Sequence, residues 1–374
     1  MSHSRATSPG TLRYSERFNG RVAAGHFRES QGLTLSSIGL GTYLGHFDDR
    51  TDESYRSAIR RALELGSNVI DTASNYRFQR SERAVGSAIA EVVAGRTISR
   101  DEIVVSTKGG YLPFDGGPPQ SREEIHDYII DTFVKPGICE EKDFVRGAHC
   151  MQPRFLEHQL AQSLRNLQLE TVDIYYIHNP ETQLAEISAD EFYRRLAAAF
   201  EYLETAVASG KISIYGTATW GGFRESPESR EYVSLARVVE TARQVAGEDH
   251  HFKVVQLPYN LSMIEAFGFP NQVLNGKAVS FLEAARSLGV TVMASASLLQ
   301  ARLAHTLAPE LAEKLKGLLT DAQRALQFAR SAPGLTTALV GMSQVPHVEE
   351  NMRVSQVEPA DLKSYLELFS ASSE

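Results

Sequence analysis

The sequence predicts an α/β protein that folds as a single (β/α)8 barrel, or TIM barrel, with an N-terminal extension and a long insertion after the third strand. Eight short apolar runs occur in the 374 residues, and seven of them are followed by a clear helical pattern. This alternation predicts parallel strands joined by helical crossovers. Eight such units fit a closed barrel better than an open sheet.

The elements are assigned from apolar runs and from helix-end signals. Thr51, as N-cap, and Gly66, as C-cap, bound the first barrel helix, and Pro153 suits the first turn of a later one. Gly289 ends the helix before the seventh strand, after which a helical region is expected through residue 331. The strands are expected within 33–40 and at 68–71, 103–108, 172–178, 212–217, 253–257, 290–294 and 337–341. The other helices are expected from Ser81 and at 153–167, 189–209, 228–246, 346–354 and 360–370.

Two segments lie outside the regular alternation of strands and helices. Residues 1–30 are polar and aperiodic, so we expect an N-terminal extension with a short hairpin near its end, followed by the barrel domain at 31–374. Residues 109–152 are an insertion that directly follows Lys108. Because a loop this long in a compact barrel is usually functional, we expect it to lie over the barrel mouth and contact substrate. A surface decoration is the less favoured interpretation.

Composition excludes several classes of protein. The net charge of −8 and the pI near 5.8 argue against a nucleic-acid binder, which would carry a basic patch. We expect no membrane span and no secretory signal, since neither a long apolar run nor an apolar N-terminus is present. The only two cysteines, Cys139 and Cys150, indicate a reduced, cytoplasmic protein. Together with His126 and His149 they fit no standard zinc spacing, so no metal site is expected.

Asp71, Lys108 and His178 close three separate strand-like runs, and Tyr76 lies five residues after Asp71 in the same loop. In a parallel barrel these ends meet at one face, so the four side chains are expected to lie together. A tyrosine can donate a proton to a carbonyl oxygen, a neighbouring lysine lowers the phenol pKa, an aspartate holds the lysine, and a histidine orients the substrate oxygen. Each residue alone would be assigned a structural role, such as capping or packing. As an ordered set they predict catalysis.

The sequence around these residues resembles the aldo-keto reductase superfamily over roughly residues 30–355. Several spaced motifs carry the resemblance: Gly39–Thr42, Ile70–Tyr76, Ser106–Gly109, Asp173–Pro180, Gln256–Asn260 and Gly341–Asn351. The resemblance implies a barrel that binds an extended nicotinamide dinucleotide across its C-terminal face. It implies Tyr76 as general acid or base, Lys108 as the residue that lowers its pKa, Asp71 as the partner of Lys108, and His178 as a hydrogen-bond donor to substrate.

The resemblance also implies the cofactor contacts. NADP is the expected cofactor, with NAD as the alternative, because the segment after the last strand has no lysine or arginine to clamp a 2′-phosphate until Arg353. The residues implied to contact the cofactor are Gly41, Thr42, Asp71, Ala218, Thr219, Gln256, Ser295, Ala296, Leu298, Gly341, Ser343, His347, Glu350 and Asn351.

The chain departs from the family pattern at three places. Ala218 and Thr219 stand where a Ser-Asn pair usually holds the nicotinamide carboxamide, so one side-chain contact is lost. Ser295 stands where a tyrosine usually stacks on the nicotinamide, unless Trp220 or Phe223 supplies that aromatic face. Residues 77–80 also make the loop beside Tyr76 longer than usual.

Three hypotheses about function follow. The favoured one is an NAD(P)H-dependent oxidoreductase that interconverts a carbonyl group and an alcohol on a small molecule. The alternative is a dinucleotide-binding regulatory or partner protein with weak or vestigial redox activity, motivated by Ala218 and Ser295. The third is a barrel lyase or isomerase that uses Tyr76 and Lys108 for proton transfer without net redox. The sequence pattern predicts neither the physiological substrate nor the oligomeric state.

Overall fold

The computed structural model describes residues 4–369 and confirms the predicted closed barrel. Its eight parallel strands are neighbours in the order in which they occur along the chain, and the last pairs with the first. They are β3 (Ile38–Gly41), β4 (Val69–Asp71), β5 (Val104–Gly109), β6 (Val172–His178), β7 (Ile212–Ala218), β8 (Phe252–Pro258), β11 (Thr291–Ser295) and β12 (Thr337–Gly341). Two antiparallel hairpins supply the other strands: β1 (Phe27–Ser30) with β2 (Leu33–Ser36), and β9 (Gln272–Leu274) with β10 (Lys277–Val279).

A helix follows every barrel strand and buries one apolar face. In the longest of these helices, residues spaced three and four apart, such as Phe192, Leu196 and Ala199, are fully buried, as expected of an amphipathic helix on a sheet. The barrel helices are α2 (Asp49–Glu64), α3 (Arg80–Ala94), α5 (Pro153–Leu167), α6 (Ala189–Ala208), α7 (Leu235–Ala246), α9 (Phe281–Ser287), α11 (Asp321–Ser331) and α12 (Val345–Met352). The remaining α-helices are α1 (Ser8–Glu16), α4 (Arg122–Ile129), α8 (Glu265–Gly268), α10 (Pro309–Lys314) and α13 (Leu362–Glu367).

Two predicted helix starts were wrong, and capping explains both. The Asp48 carboxylate accepts a hydrogen bond from the Thr51 N–H at 2.8 Å, so Asp48, not Thr51, is the N-cap of α2. The helix expected from residue 228 begins only at Leu235, because the Ser234 hydroxyl caps it. The preceding loop is held away from helical geometry by a hydrogen bond from the Val233 N–H to the Gly222 carbonyl at 2.8 Å.

The N-terminal segment is more ordered than predicted. It contains α1, which the polar sequence did not reveal, and the predicted hairpin at β1 and β2. The expected strand 33–40 is therefore two strands, one in the hairpin and one in the barrel. Ala6 and Leu35 join an apolar cluster with Val69 and Val104, the first residues of β4 and β5, so this segment closes the N-terminal end of the barrel. The proposed boundary at residue 30 falls inside the hairpin.

Two connections in the second half also differ from prediction. The chain between β8 and β11 forms α8 and the β9–β10 hairpin before its helix, where a loop and one helix were expected. After β11 the expected helical region is interrupted by a loop that reaches α10 only at Pro309. Ala296, Leu299, Gln300 and Ala301 in this loop have φ between 46° and 69°, a left-handed conformation that an α-helix of L-residues cannot contain.

The insertion 109–152 has its own small core. Its two ends are joined by hydrogen bonds from Leu112 N to Ala148 O at 3.0 Å and from Cys150 N to Gly110 O at 2.8 Å. Between them, α4 leads into one π-helical turn, Ile130–Val134. Buried apolar residues of this segment pack with one residue of α5 in a separate cluster: Leu112, Ile129, Phe133, Phe144, Cys150 and Phe155. The insertion is thus a folded subdomain rather than an open loop.

Within residues 4–369, no helix is long and apolar enough to cross a lipid bilayer. Over the same range, no group of three or more His, Cys, Asp or Glu side chains is arranged to hold a metal ion. Cys139 and Cys150 are both free thiols.

A buried ion pair at the N-terminal end of the barrel yields a stability prediction. Asp173 Oδ2 accepts hydrogen bonds from Arg100 Nη2 and the Val105 N–H, both at 2.8 Å, and Oδ1 accepts from the Ala6 N–H at 2.7 Å. We expect Asp173→Ala to lower the free energy of unfolding by about 3–5 kcal/mol in urea titrations, because it leaves a buried guanidinium unpaired. As a control, Asp131→Ala removes an exposed ion pair to Lys135 and should cost about 0.5 kcal/mol or less. Equal losses in the two variants would contradict the assignment.

Candidate active site

The four residues singled out in the sequence lie at the C-terminal mouth of the barrel. Asp71 and His178 end β4 and β6, Lys108 lies near the end of β5, and Tyr76 lies in the loop after β4. Three of them, Asp71, Tyr76 and His178, line a cavity of about 430 Å³, and Lys108 lies directly behind. The structure therefore brings together the set that strand-end placement predicted.

Lys108 and Asp71 form a buried ion pair. Lys108 Nζ donates to Asp71 Oδ2 at 2.6 Å and to the Thr72 carbonyl at 2.9 Å, and the two charged side chains are 0% and 6% exposed. Asp71 Oδ1 accepts from Ser106 Oγ at 2.7 Å and from Gln256 Nε2 at 2.9 Å. Because both carboxylate oxygens and the ammonium are hydrogen-bonded, the pair is held in one position.

The Lys108 ammonium lies against Tyr76, 4.7 Å from the centre of its ring. Burial raises the pKa of Tyr76, and the Lys108 charge opposes this without reversing it, so the net pKa lies above that of a free phenol. The expectation that Lys108 lowers this pKa is correct for its own contribution, but burial outweighs it. Burial likewise lowers the pKa of Lys108, yet the Asp71 carboxylate and Tyr76 more than compensate, and the net shift is upward. At neutral pH the phenol is protonated and the lysine is charged.

His178 is neutral at neutral pH. Burial, with the Lys108 charge and His149 adding to it, places the pKa of His178 well below its usual value. Its ring lies between two tyrosines in edge-to-face contact, with ring centres 5.8 Å from Tyr76 and 5.2 Å from Tyr111. A protonated phenol and a neutral imidazole therefore converge on one region of the cavity, where both can donate hydrogen bonds to a substrate oxygen.

Most residues implied to contact the cofactor line the same cavity: Gly41, Thr42, Asp71, Ala218, Thr219, Gln256, Ser295, Ala296, Leu298 and Gly341. Four others do not: Ser343, His347, Glu350 and Asn351 lie on α12 or just before it, beyond the lining at Gly341. His347 is exposed and Asn351 is buried. The structure thus brings together the barrel-mouth positions and leaves the adenosine-end positions outside the cavity.

Several lining groups fit a polar ligand. Asn75 Oδ1, Thr219 Oγ1 and Ser297 Oγ are buried, line the cavity and have no hydrogen-bond partner within residues 4–369. Asn351 Oδ1, on α12, is likewise unpartnered within that range. Because buried polar atoms are normally paired, these groups fit a ligand rich in hydrogen-bonding atoms, as a dinucleotide is.

Sequence reasoning missed part of the cavity wall. Tyr43, Asn75 and Asn179 each adjoin a predicted site residue, and Tyr111 lies three residues after Lys108, so proximity to a motif was the available signal. Tyr43 contacts the Tyr76 ring, with ring centres 5.0 Å apart. The lining residues that were not predicted include Tyr43, Leu44, Asn75, Tyr111, Asn179, Ser297 and Gln300.

Ser295 stands where a tyrosine usually stacks on the nicotinamide, and Trp220 and Phe223 were the two aromatic residues expected as replacements. Only Trp220 lines the cavity. It is 48% exposed and lines the mouth, whereas Phe223 is fully buried against Phe281. The backbone N–H of Trp220 donates to Glu181 Oε1 at 2.6 Å, and the backbone carbonyl of Trp220 accepts from Arg224 Nη1 at 2.9 Å. Both ends of the Trp220 backbone are thereby fixed. Burial raises the pKa of Glu181 to about 6, and backbone N–H groups oppose this rise.

Comparison with known proteins identifies related chains. The curated D-threo-aldose 1-dehydrogenase of Pseudomonas sp. is 28% identical over 187 residues, which cover 50% of each chain, so the match spans about half the length of that relative. A Schizosaccharomyces pombe protein proposed to be a voltage-gated potassium channel subunit beta is 24% identical over 367 residues, covering 91% of this chain and 92% of that protein.

The fold and the family are shown by broader matches. The crystal structure of an aldo/keto reductase from Klebsiella pneumoniae in complex with NADP and acetate has a TM-score of 0.61 and 19% identity, covering 93% of this chain and 95% of that one. At that identity the likeness shows the fold. The model of the aldo/keto reductase family matches residues 37–368. Since this match spans most of the sequence, the chain belongs to the aldo/keto reductase family, as its motifs predicted.

Proposed function

We propose that this protein is an NAD(P)H-dependent oxidoreductase that interconverts a carbonyl group and an alcohol on a small molecule, with Tyr76 as general acid or base. The observation that carries the proposal is the Tyr76 phenol beside His178 in the cavity, with the buried Lys108–Asp71 pair behind it. Family membership supports it, as do the dehydrogenase name of the Pseudomonas relative and the NADP of the Klebsiella structure.

The protein side chains handle the proton and the charge. The cavity residues would hold a nicotinamide, which would supply the hydride for the carbonyl carbon, and the carbonyl oxygen would then gain negative charge. Tyr76 donates its proton to that oxygen, and in the alcohol-oxidising direction its phenolate accepts the proton. The Lys108 ammonium stabilises the phenolate left behind, since it is buried at the ring and held by Asp71. His178, neutral, donates a hydrogen bond to the same oxygen and so stabilises the transition state.

The cavity residues supply the proposed cofactor site. The Thr219 hydroxyl, which has no hydrogen-bond partner within residues 4–369, would replace part of the usual carboxamide contact, and the Gln256 amide donates to Asp71 Oδ1 at 2.9 Å. Trp220 offers the aromatic face that Ser295 cannot. NADP is the proposed cofactor. NAD is the alternative, because Gly341–Asn351 contains no lysine or arginine that could bind a 2′-phosphate. The contacts from Ser343, His347, Glu350 and Asn351 stay part of the proposal.

The substrate end of the cavity favours an uncharged polar carbonyl compound. Asn75, Tyr111 and Asn179 present amide and hydroxyl groups, and the lining residues that the structure describes include no lysine or arginine. Such groups recognise hydroxyl-bearing molecules, and the name of the Pseudomonas relative identifies it as a dehydrogenase of aldoses. A cytoplasmic location, with Cys139 and Cys150 reduced, belongs to the same proposal.

A regulatory role is the second candidate function, because the near full-length S. pombe relative is proposed to be a channel subunit. The two candidates differ in turnover. Stereospecific hydride transfer from NADPH or NADH across a panel of aldehydes and ketones supports the oxidoreductase. Dinucleotide binding without turnover on that panel, together with a protein partner that co-purifies, supports the regulatory role. A reaction that leaves the nicotinamide absorbance unchanged supports a lyase or isomerase.

The role of Tyr76 can be tested by Tyr76→Phe. This variant retains the ring and loses the ionisable proton, so we expect turnover to fall by about 10²- to 10⁴-fold while NADPH affinity changes little. Steady-state kinetics and calorimetric NADPH titration measure the two effects. As a control, Tyr202→Phe removes a hydroxyl on α6 that has no partner within residues 4–369, and it should keep full activity. Full activity in Tyr76→Phe would refute the role.

Trp220 is the only tryptophan in the chain, so its fluorescence reports on the cavity mouth. We expect NADPH to quench this fluorescence on binding. We expect Trp220→Ala to raise the NADPH dissociation constant by about two- to tenfold and Trp220→Phe to change it less, because aromatic stacking contributes about 0.5–1.5 kcal/mol. Calorimetry measures both constants without relying on turnover. An unchanged dissociation constant in Trp220→Ala would remove Trp220 as the stacking face.

A further inference from the structure

The insertion 109–152 returns to the barrel at His149, beside the candidate active site. The Val145 N–H donates to the His149 carbonyl at 2.9 Å, and the next residue, Cys150, donates its N–H to the Gly110 carbonyl at 2.8 Å. Tyr111 and His149 form an isolated antiparallel bridge. His149 is therefore fixed where the insertion joins the cavity wall.

The His149 imidazole is fully buried, and both of its nitrogens have partners. Nε2 lies 2.7 Å from the carbonyl oxygen of His178, and Nδ1 lies 2.9 Å from Gln183 Nε2. Gln183 Oε1 accepts from Arg195 Nη1 at 2.7 Å. A guanidinium can only donate, so the Gln183 oxygen must face Arg195 and its NH₂ must face His149.

This arrangement selects one tautomer of His149. Nδ1 accepts from the Gln183 amide, so Nε2 carries the hydrogen and donates it to the His178 carbonyl. Burial lowers the pKa of His149 to about 4, so the ring stays neutral near pH 7. A chain of donors thus runs from Arg195, on α6, through Gln183 and His149 to the backbone of His178.

The backbone at His178 needs such support. Asn179, the next residue, has φ 45° and ψ 58°, a left-handed conformation that costs a non-glycine residue free energy unless its surroundings hold it. Its N–H donates to the Ala218 carbonyl at 2.6 Å. The His178–Asn179 peptide is consequently held on one side by β7 and on the other by His149.

The His149 ring also supports the ring of His178 indirectly. Tyr111 packs edge-to-face against both histidines, with ring centres 5.1 Å from His149 and 5.2 Å from His178. The Tyr111 hydroxyl is held by Thr182 Oγ1 at 3.1 Å. The position of the His178 ring therefore depends on Tyr111, whose other neighbour is His149.

From this geometry we propose that His149 is a positioning residue for the reaction: it fixes His178 toward the substrate oxygen through the His178 carbonyl and the Tyr111 ring. The proposal rests on the proposed function and assigns the insertion a task in catalysis besides substrate contact. Without the His149 N–H, the His178–Asn179 peptide can rotate and the imidazole is misaligned. A small misplacement of a catalytic group mainly reduces the rate of the chemical step. We therefore expect kcat to fall, with little change in cofactor affinity.

The test compares two substitutions at one position. His149→Gln places an amide N–H near the Nε2 position, whereas His149→Phe keeps an aromatic ring beside Tyr111 and removes the donor. We expect kcat to fall about 10- to 100-fold in His149→Phe and only a few-fold in His149→Gln, with the NADPH dissociation constant unchanged in both. Unchanged kcat in His149→Phe, or an equal loss in both variants, would overturn the proposal.

A second pair of variants avoids the buried position. Arg195→Met removes the donor to the Gln183 oxygen and leaves the Gln183 NH₂ held by the His149 carbonyl at 3.0 Å. Arg194→Met is the matched control, because Arg194 pairs with the same Glu191 but is exposed. ¹⁵N NMR of the histidine rings should show one Nε2–H tautomer of His149 in the wild type and in Arg194→Met. Arg195→Met should shift the His149 ring nitrogen signals, because Gln183 keeps only its contacts to His149, and it should lower kcat.

The ¹⁵N spectra, read together with turnover, distinguish a failure of the proposed function from a failure of the positioning role of His149. A single Nε2–H tautomer without carbonyl turnover in the wild type would reject the proposed function and leave the His149 geometry intact. A wild-type Nδ1–H tautomer, or an Arg195→Met variant with wild-type spectrum and kcat, would overturn the positioning role while leaving the oxidoreductase in place.

Discussion

The buried ion pair between Lys108 and Asp71 is the constraint on which the site depends. β4 and β5 are neighbours in the barrel with Asp71 opposite Ser106, and side chains two residues apart on a strand share a face. Ser106 and Lys108 therefore both reach the Asp71 carboxylate, at 2.7 and 2.6 Å. An unpaired charge at this depth would cost several kcal/mol, so barrel closure fixes the ammonium, and the ammonium fixes the electrostatics of Tyr76.

The barrel was predictable because its strands are buried on both faces and appear as short apolar runs between helical patterns. The secondary-structure predictions that failed concern segments whose conformation depends on tertiary contacts. Helix α1 is polar with Pro9 and Gly10 in its first turn, and Gly10 is required because a side chain there would lie within 2.2 Å of the Asp101 carbonyl. The β9–β10 hairpin is instead a missed signal, because Asn275-Gly276, with φ 50° and 75°, forms the two-residue turn between its strands. The left-handed residues Ala296, Leu299, Gln300 and Ala301 have no such signal in the sequence.

Part of the candidate site was predictable because the strands of the barrel were predictable. Asp71, Lys108 and His178 lie at or near strand ends and Tyr76 lies in the loop after β4, and a parallel barrel brings these ends together at one face. His149 could not be placed from the sequence, because its position depends on how the insertion folds back, and Tyr111 had only its proximity to Lys108 as a signal. The net pKa shift of Tyr76 was also out of reach: the sequence identifies Lys108 as its neighbour, but the depth of burial that outweighs the lysine charge is a property of the folded structure.

The proposed reaction depends above all on the Lys108 ammonium, which stabilises the Tyr76 phenolate. The most direct measurement is an NMR titration of ¹³C-labelled tyrosine in the wild type and in Lys108→Met, with the Tyr76 signal assigned by its absence in Tyr76→Phe. We expect Tyr76 to stay protonated through neutral pH in the wild type, and we expect its pKa to rise further when the lysine charge is removed. An unchanged or lower pKa of Tyr76 in Lys108→Met would contradict the account.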